Sequence, residues 1–287
     1  MKKNADNAAN AWKVVLLTLL NMNEDIKKIT IFPGLNKFGK KENFQKIDIS
    51  EGEVIAIVGP TGAGKSQFLY DLDRLAQGDT KSKRKIFING QIPEKEWKFN
   101  PEKKIIASLS QSMNFLTDIS VKDFLKLHIQ ARGKKADLKL IEETISEANK
   151  ITGEAISPDT NLLNLSGGQS RALMVSDLAN ISASPIVLID EIENAGIKKE
   201  QAIKILVEEG KIVLIVTHDP SLALNANKRI IINNGGVVDI IKTTTKEKGI
   251  ASYLNWIETY ILKIRDQIRS GKKIEDIKLF CKKIDKI

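Results

Sequence analysis

Eight consecutive residues carry the strongest chemical signal in the chain. Gly59, Pro60, Thr61, Gly62, Ala63, Gly64, Lys65 and Ser66 have the spacing G-x-x-x-x-G-K-S. They follow an apolar run at Val54–Val58 and open a helical pattern with Phe68, Leu69, Leu72 and Leu75 on one side. Strand, glycine loop and helix together are the context in which this spacing binds a polyphosphate. Glycines let backbone N–H groups wrap phosphate oxygens without Cβ clashes. The helix N-terminus adds a favourable dipole. Lys65 is placed to reach the β- and γ-phosphates of a nucleotide, and Ser66 to ligate Mg²⁺. A chance glycine turn is the competing reading, and the two flanking elements argue against it.

Two further strand ends carry titratable groups. The run Pro185-Ile-Val-Leu-Ile ends in Asp190 and Glu191. Adjacent acids at the end of a buried strand need a cation to offset them. Mg²⁺ does so through Asp190, which leaves Glu191 to polarise an attacking water. A helix cap or turn acid is the bland alternative. His218 ends the apolar run at Ile212–Val216, after Thr217. Ligands gather at the carboxyl ends of parallel strands, so His218 is expected beside Asp190 and Lys65, within reach of a γ-phosphate. His128, the other histidine, falls on a helix face with no Cys or His near it in sequence, so no zinc site is expected.

The elements that must position these groups are legible as alternation. Short β-rich runs at 29–32, 54–58, 85–89, 105–109, 186–189, 212–216 and 229–232 are separated by helical patterns, the signature of a largely parallel α/β sheet. The runs at 54–58 and 186–189 are apolar throughout, as suits strands covered on both faces. Between them, Val121, Phe124, Leu125 and His128 share one helix face, and Leu140, Ile141, Ile145 and Ala148 another. This predicts a helical subdomain at about 112–165.

At 287 residues, 42% hydrophobic and 28% charged, the chain has globular composition, which excludes disordered, collagenous and disulfide-scaffold classes. A single cysteine, Cys281, forms no internal disulfide. The apolar run at 14–20 is far shorter than the roughly 18–20 residues that span a bilayer, and it reads as a buried or partner-facing segment of a soluble protein. The net charge is +9, and residues 240–287 hold 12 Lys and Arg against 6 Asp and Glu, so the tail carries +6 of it. Leu254, Ile257, Ile261, Ile264 and Ile268 step by 3 and 4 in that tail. The seam suits either a helix packed on its own domain or a docking helix for another chain.

Between the glycine loop and the acidic strand, Leu165-Ser166-Gly167-Gly168-Gln169-Ser170-Arg171 resembles the signature motif of the ATP-binding cassette (ABC) ATPases. Ser166, Gly167 and Gly168 at a helix N-terminus make an anion site. In that family this site closes on the γ-phosphate of ATP held by a second subunit. Gln111, in Leu-Ser-Gln, resembles the family's glutamine loop, which contacts Mg²⁺, and His218 resembles its switch histidine. Five motifs in order cover about residues 28–240. The resemblance implies a P-loop NTPase of ABC type: a mostly parallel core sheet, a small antiparallel β subdomain placed at 85–109, and the inserted helical subdomain. It assigns Glu191, His218 and Lys65 to catalysis. Residues 59–66, Gln111 and Ser166–Gly168 with Gln169 fall to the nucleotide, and Ser66, Gln111 and Asp190 to Mg²⁺. Phe38 is the candidate to stack on adenine, with Phe44 the alternative and core packing the competing role for either. One departure stands out: Ile197 occupies the place of the family's loop aspartate after the acidic pair.

The implied assembly is a homodimer of ABC subunits with two ATP–Mg²⁺ at its interface. Residues 1–27 and 241–287 are then extensions on either side of the cassette. The expected partner is a membrane-spanning transporter chain, which would hold this protein at the inner, cytoplasmic face of the membrane. The alternative is a soluble protein-assembly or cofactor-maturation complex. Nucleic acid is not expected: aromatics are 5% of residues, and Tyr253, Trp256 and Tyr260 lie beside the apolar seam.

Overall fold

The computed structural model describes residues 26–100, 103–110, 113–192 and 196–274. The apolar segment at 14–20, Gln111 and Cys281 lie outside them. Strands β1 (Lys28–Phe32), β2 (Ile47–Ser50) and β4 (Lys85–Ile88) form an antiparallel sheet in the order β2-β1-β4. Strands β3 (Val54–Val58), β5 (Ile106–Leu109), β6 (Ile186–Asp190), β7 (Ile212–Val216), β8 (Lys228–Asn233) and β9 (Gly236–Lys242) form the main sheet, in the order β5-β6-β7-β3-β8-β9. All its pairings are parallel except the β8–β9 hairpin.

The expected place of the antiparallel layer, residues 85–109, is corrected here. Only Lys85–Ile88 belongs to it, while Ile106–Leu109 pairs parallel with β6 at the edge of the main sheet. Ile105 and Ile106 are buried in the core between the two sheets, which is where their apolar surface drives this segment. The layer is completed instead by Ile47–Ser50, whose Ile-Asp-Ile-Ser alternation points Ile47 and Ile49 inward. Strand β9 also escaped the sequence reading. Its hairpin turns on Asn234 and Gly235, at φ 51° and 78°, the left-handed pair that a tight two-residue turn requires.

Helices cover the sheet by period-2 sorting of its strands. Ile55, Ile57, Ile186, Leu188, Ile212, Leu214 and Val216 face the antiparallel layer and α1 (Lys65–Asp73). Val187, Ile189, Val213 and Ile215 face the opposite layer, formed by α3 (Val121–Ala131), α4 (Leu138–Ile151), α5 (Gly167–Asn180) and α6 (Lys199–Glu208). A short α2 (Lys95–Phe99) lies in the connection before β5. Beyond β7 come α7 (Pro220–Asn225) and, after β9, the 25-residue α8 (Thr245–Arg269). The first half of α8 packs on α7, and Ala251 is fully buried there. Its second half stands clear, with Ile261 and Ile268 about half exposed. The seam seen in the sequence is thus divided between packing and an open face. No described helix is long and apolar enough to cross a membrane.

Candidate active site

The strand order places the chemistry. β3 is flanked by β7, and β7 by β6, with Asp190 level with Val216 and Val216 level with Ile57. The glycine loop, the acidic pair and His218 therefore leave three neighbouring strands at one edge. The loop is shaped by close approach. A Cβ on Gly59 would lie 2.2 Å from the Ile232 carbonyl oxygen, and one on Gly64 would lie 2.7 Å from Gly235 Cα. Gly64 is also the N-cap of α1, at φ 101°. No side chain caps that helix and no acid occupies its first turn, so its leading N–H groups suit an anion. Phe68 and Leu72 behind it are fully buried, each worth about 2 kcal/mol, and keep the helix aimed at the loop.

Lys65 is 8% exposed, and its ammonium donates to the Gly59 carbonyl at 2.8 Å and the Pro60 carbonyl at 3.2 Å. It also lies 3.3 Å from His218 Nε2, which in turn is 4.0 Å from Glu191 Oε1. The structure thus brings Lys65, His218 and Glu191 together from positions up to 153 residues apart. Glu191 has φ 54°, the left-handed region that a non-glycine residue rarely occupies. Such strain costs on the order of 1–3 kcal/mol. Its N–H is anchored on the Val216 carbonyl at 3.0 Å, so the turn swings the carboxylate off the strand and toward His218.

Beneath the loop lies a buried ionic cluster that sequence reasoning missed. Arg84, fully buried, donates to both carboxylate oxygens of Glu42 (2.5 and 3.0 Å), to Asp71 (2.7 Å) and to the Gly235 carbonyl (2.9 Å). Asp71 belongs to α1, and the Gly235 N–H donates to the Ala63 carbonyl at 2.7 Å. The cluster therefore ties the antiparallel layer to both sides of the glycine loop. The same turn holds Phe38: the Lys37 N–H donates to the Asn234 carbonyl, and the Phe38 N–H to the Asn36 side chain, both at 2.9 Å. Phe38 is 65% exposed on this rim, whereas Phe44 packs against the core.

The serine–glycine turn is built differently. Ser166 caps α5 in a reciprocal box: its Oγ accepts from the Gln169 N–H at 3.2 Å, and Gln169 Oε1 accepts from the Ser166 N–H at 2.9 Å. Gln169 also donates to the Ala155 carbonyl. Ser166 and Gly167 face solvent.

The sequence profile of the ABC transporter family matches residues 44–194. An ABC transporter ATP-binding protein of Methanocaldococcus jannaschii, itself uncharacterized, is 50% identical over 90% of this chain and 99% of its own length. The chain belongs to the ABC transporter ATP-binding family. It is an ABC-type ATPase. A spermidine/putrescine import ATP-binding protein, PotA, of Legionella pneumophila is 26% identical over 84% of this chain and 67% of that protein. A macrolide export ATP-binding/permease protein, MacB, of Campylobacter jejuni is 29% identical over 70% of this chain, which corresponds to 31% of that longer protein. A dimeric ATP-binding cassette solved with ADP and phosphate shares the fold, with TM-score 0.56 and 23% identity over 75% of this chain and 99% of that one.

Ile197 is half-buried against the helical layer and, with Arg171, Met174 and Ile192, lines a small hollow beside Asp190. The next helix opens with Lys199, whose ammonium is ion-paired with both Asp219 and Glu258 (2.6 Å for the latter). Burial alone would lower its pKa, but the two carboxylates outweigh it and raise the pKa above the usual lysine value. His128 lies in the helical layer, 2.6 Å from Asp177. Among the described residues no group of three or more His, Cys, Asp and Glu forms a metal cluster.

Proposed function

We propose that this ABC ATPase hydrolyses ATP between two copies of the chain and that this drives a membrane transporter formed by another protein. The observation that carries the reading is the convergence of Lys65, His218 and Glu191 at one sheet edge, directly over the glycine loop. The loop's fit to a polyphosphate rests on its excluded Cβ positions and uncapped helix start. Ser66 and Asp190 are hard oxygen donors of the kind Mg²⁺ takes alongside phosphates. Mg²⁺, when bound, neutralises charge on the phosphate oxygens.

The residues then divide the work. Lys65 exchanges the Gly59 and Pro60 carbonyls for phosphate oxygens. Glu191 takes the proton of a water whose oxygen attacks the γ-phosphorus, while the bond to the bridging oxygen breaks and releases ADP and phosphate. His218 donates to a γ-phosphate oxygen and stays beside both Lys65 and Glu191. Phe38 offers an exposed ring to the adenine. Ser166–Gly168, capped and open to solvent, reach the γ-phosphate held by the second copy.

The names of the relatives PotA and MacB support the transporter role. The test uses the Glu191→Gln chain with ATP. A shift to a dimer in gel filtration, and co-sedimentation with an integral membrane protein from its own cells, are the expected results. A dimer that stays in the soluble fraction with a soluble partner would replace the transporter by an assembly complex. No ATP-dependent dimer at all would sink the interfacial mechanism.

A further inference from the structure

The middle of α8 reaches the first turns of α6 and α7, the helices that follow the strands ending at Asp190 and Val216. Asp219 follows His218 directly and N-caps α7 through the N–H groups of Ser221 (2.7 Å) and Leu222 (3.2 Å). Its other oxygen pairs with Lys199, which opens α6 at the end of the segment that follows Glu191. Glu258 of α8 takes the same ammonium at 2.6 Å. One turn earlier, Asn255 accepts from the Ser221 hydroxyl and donates to Glu200, and Glu200 also accepts from Asn225 at 2.7 Å. Two side chains of one helix thus meet three polar groups: Ser221 in the first turn of α7, and Lys199 and Glu200 in the first turn of α6.

These are not ordinary surface pairs. The side chains of Lys199 and Asp219 are 11% and 13% exposed, so water screens their attraction weakly. Glu258, at 44%, is the solvent-side member. Removing it leaves Lys199 paired with Asp219 and the core intact.

We infer that α8 is a positioning brace for the reaction: Asn255 and Glu258 hold the start of α7, which directly follows His218 and Asp219, in register with the start of α6. The inference rests on the ATPase reading of that edge. Small displacements there are costly, because misplacing a reacting group by about 1 Å removes up to 10²-fold in rate.

The test is the Asn255→Ala/Glu258→Ala double variant of the full chain. The chain contains only two histidines, so its imidazole NMR spectrum carries two sets of signals, assigned with His128→Gln. The expected result is a moved His218 signal, an unmoved His128 signal, and kcat reduced about tenfold with KM for ATP within about twofold. Glu258→Asp, which keeps the charge, should recover most of the rate. An unmoved His218 signal with unchanged kcat would overturn the brace. So would joint movement of both histidine signals with a lowered melting temperature, which marks general loosening. If the wild-type chain hydrolyses no ATP, the catalytic reading falls, while the histidine spectrum still decides whether α8 sets the His218 loop.

Discussion

The glycine loop and the serine–glycine turn both open helices, yet they are supported in opposite ways. The loop at 59–66 is pressed against Ile232 and Gly235 and underpinned by the Arg84 cluster, and its lysine meets His218 at the end of the adjacent strand β7, 153 residues away in sequence. The turn at Ser166 is closed by its own neighbour Gln169 and faces solvent. The first is completed by the chain's own tertiary contacts. The second is complete locally and directed outward, as a site must be if its ligand is held by another copy. Breaking each should therefore fail differently.

The largest effect is expected at Glu191. Glu191→Gln preserves shape and the backbone anchor but removes the base, so ATP turnover should fall by about 10²–10⁴-fold with the melting temperature unchanged. Steady-state phosphate release measures it, and turnover equal to wild type would remove Glu191 from the mechanism. Next, Arg84→Ala leaves Glu42 and Asp71 buried without their cation. The expected cost is about 3–5 kcal/mol in denaturant unfolding, against less than about 1 kcal/mol for breaking the exposed Lys139–Glu143 pair. Similar losses at the two sites would refute the contrast between buried and exposed support.

Ser166→Ala removes a cap, worth about 1 kcal/mol of stability. Nucleotide affinity of the single chain, read by calorimetry, should stay at the wild-type value while turnover at dimer-forming concentration falls. Weakened affinity in the single chain would mean that the turn serves its own nucleotide after all. The smallest effect lies away from both sites. Burial would raise the Asp48 pKa, but Lys46, Thr30 and Lys28 outweigh it and hold it below the usual carboxylate value. A carboxylate lowered in the folded state stabilises above its unfolded pKa of about 3.8 and loses that contribution as pH falls through the folded value. Thermal melts from pH 5 down to pH 2 should show a shallower acid decline for Asp48→Asn than for wild type.

Much of the fold was legible because it is written in local pattern. Apolar runs marked strands covered on both faces, and 3.6-residue spacing marked the helices that cover them. Two strands were overlooked although signals existed: the alternation at Ile47–Ser50 and the Asn234-Gly235 turn that opens β9. The misplacement of Ile106–Leu109 has another cause. An isolated apolar run states that it will be buried, but its partner strand is chosen by the surface available to receive it.

What the sequence determined alone is the chemistry within a few residues: the glycine spacing before Lys65, the box closed by Ser166 and Gln169, and the acids ending a buried strand. Caps and glycine turns of this kind depend on near neighbours, so residue order suffices for them. The tertiary structure decided which of these groups meet. The left-handed turn at Glu191, the Arg84 cluster and the bridge from Lys199 to Asp219 and Glu258 join residues 13 to 151 positions away from one another or depend on such contacts. Each is a charge or strain that only a packed, weakly screened surrounding can make favourable, and that surrounding exists only once the strands have taken their order in the sheet.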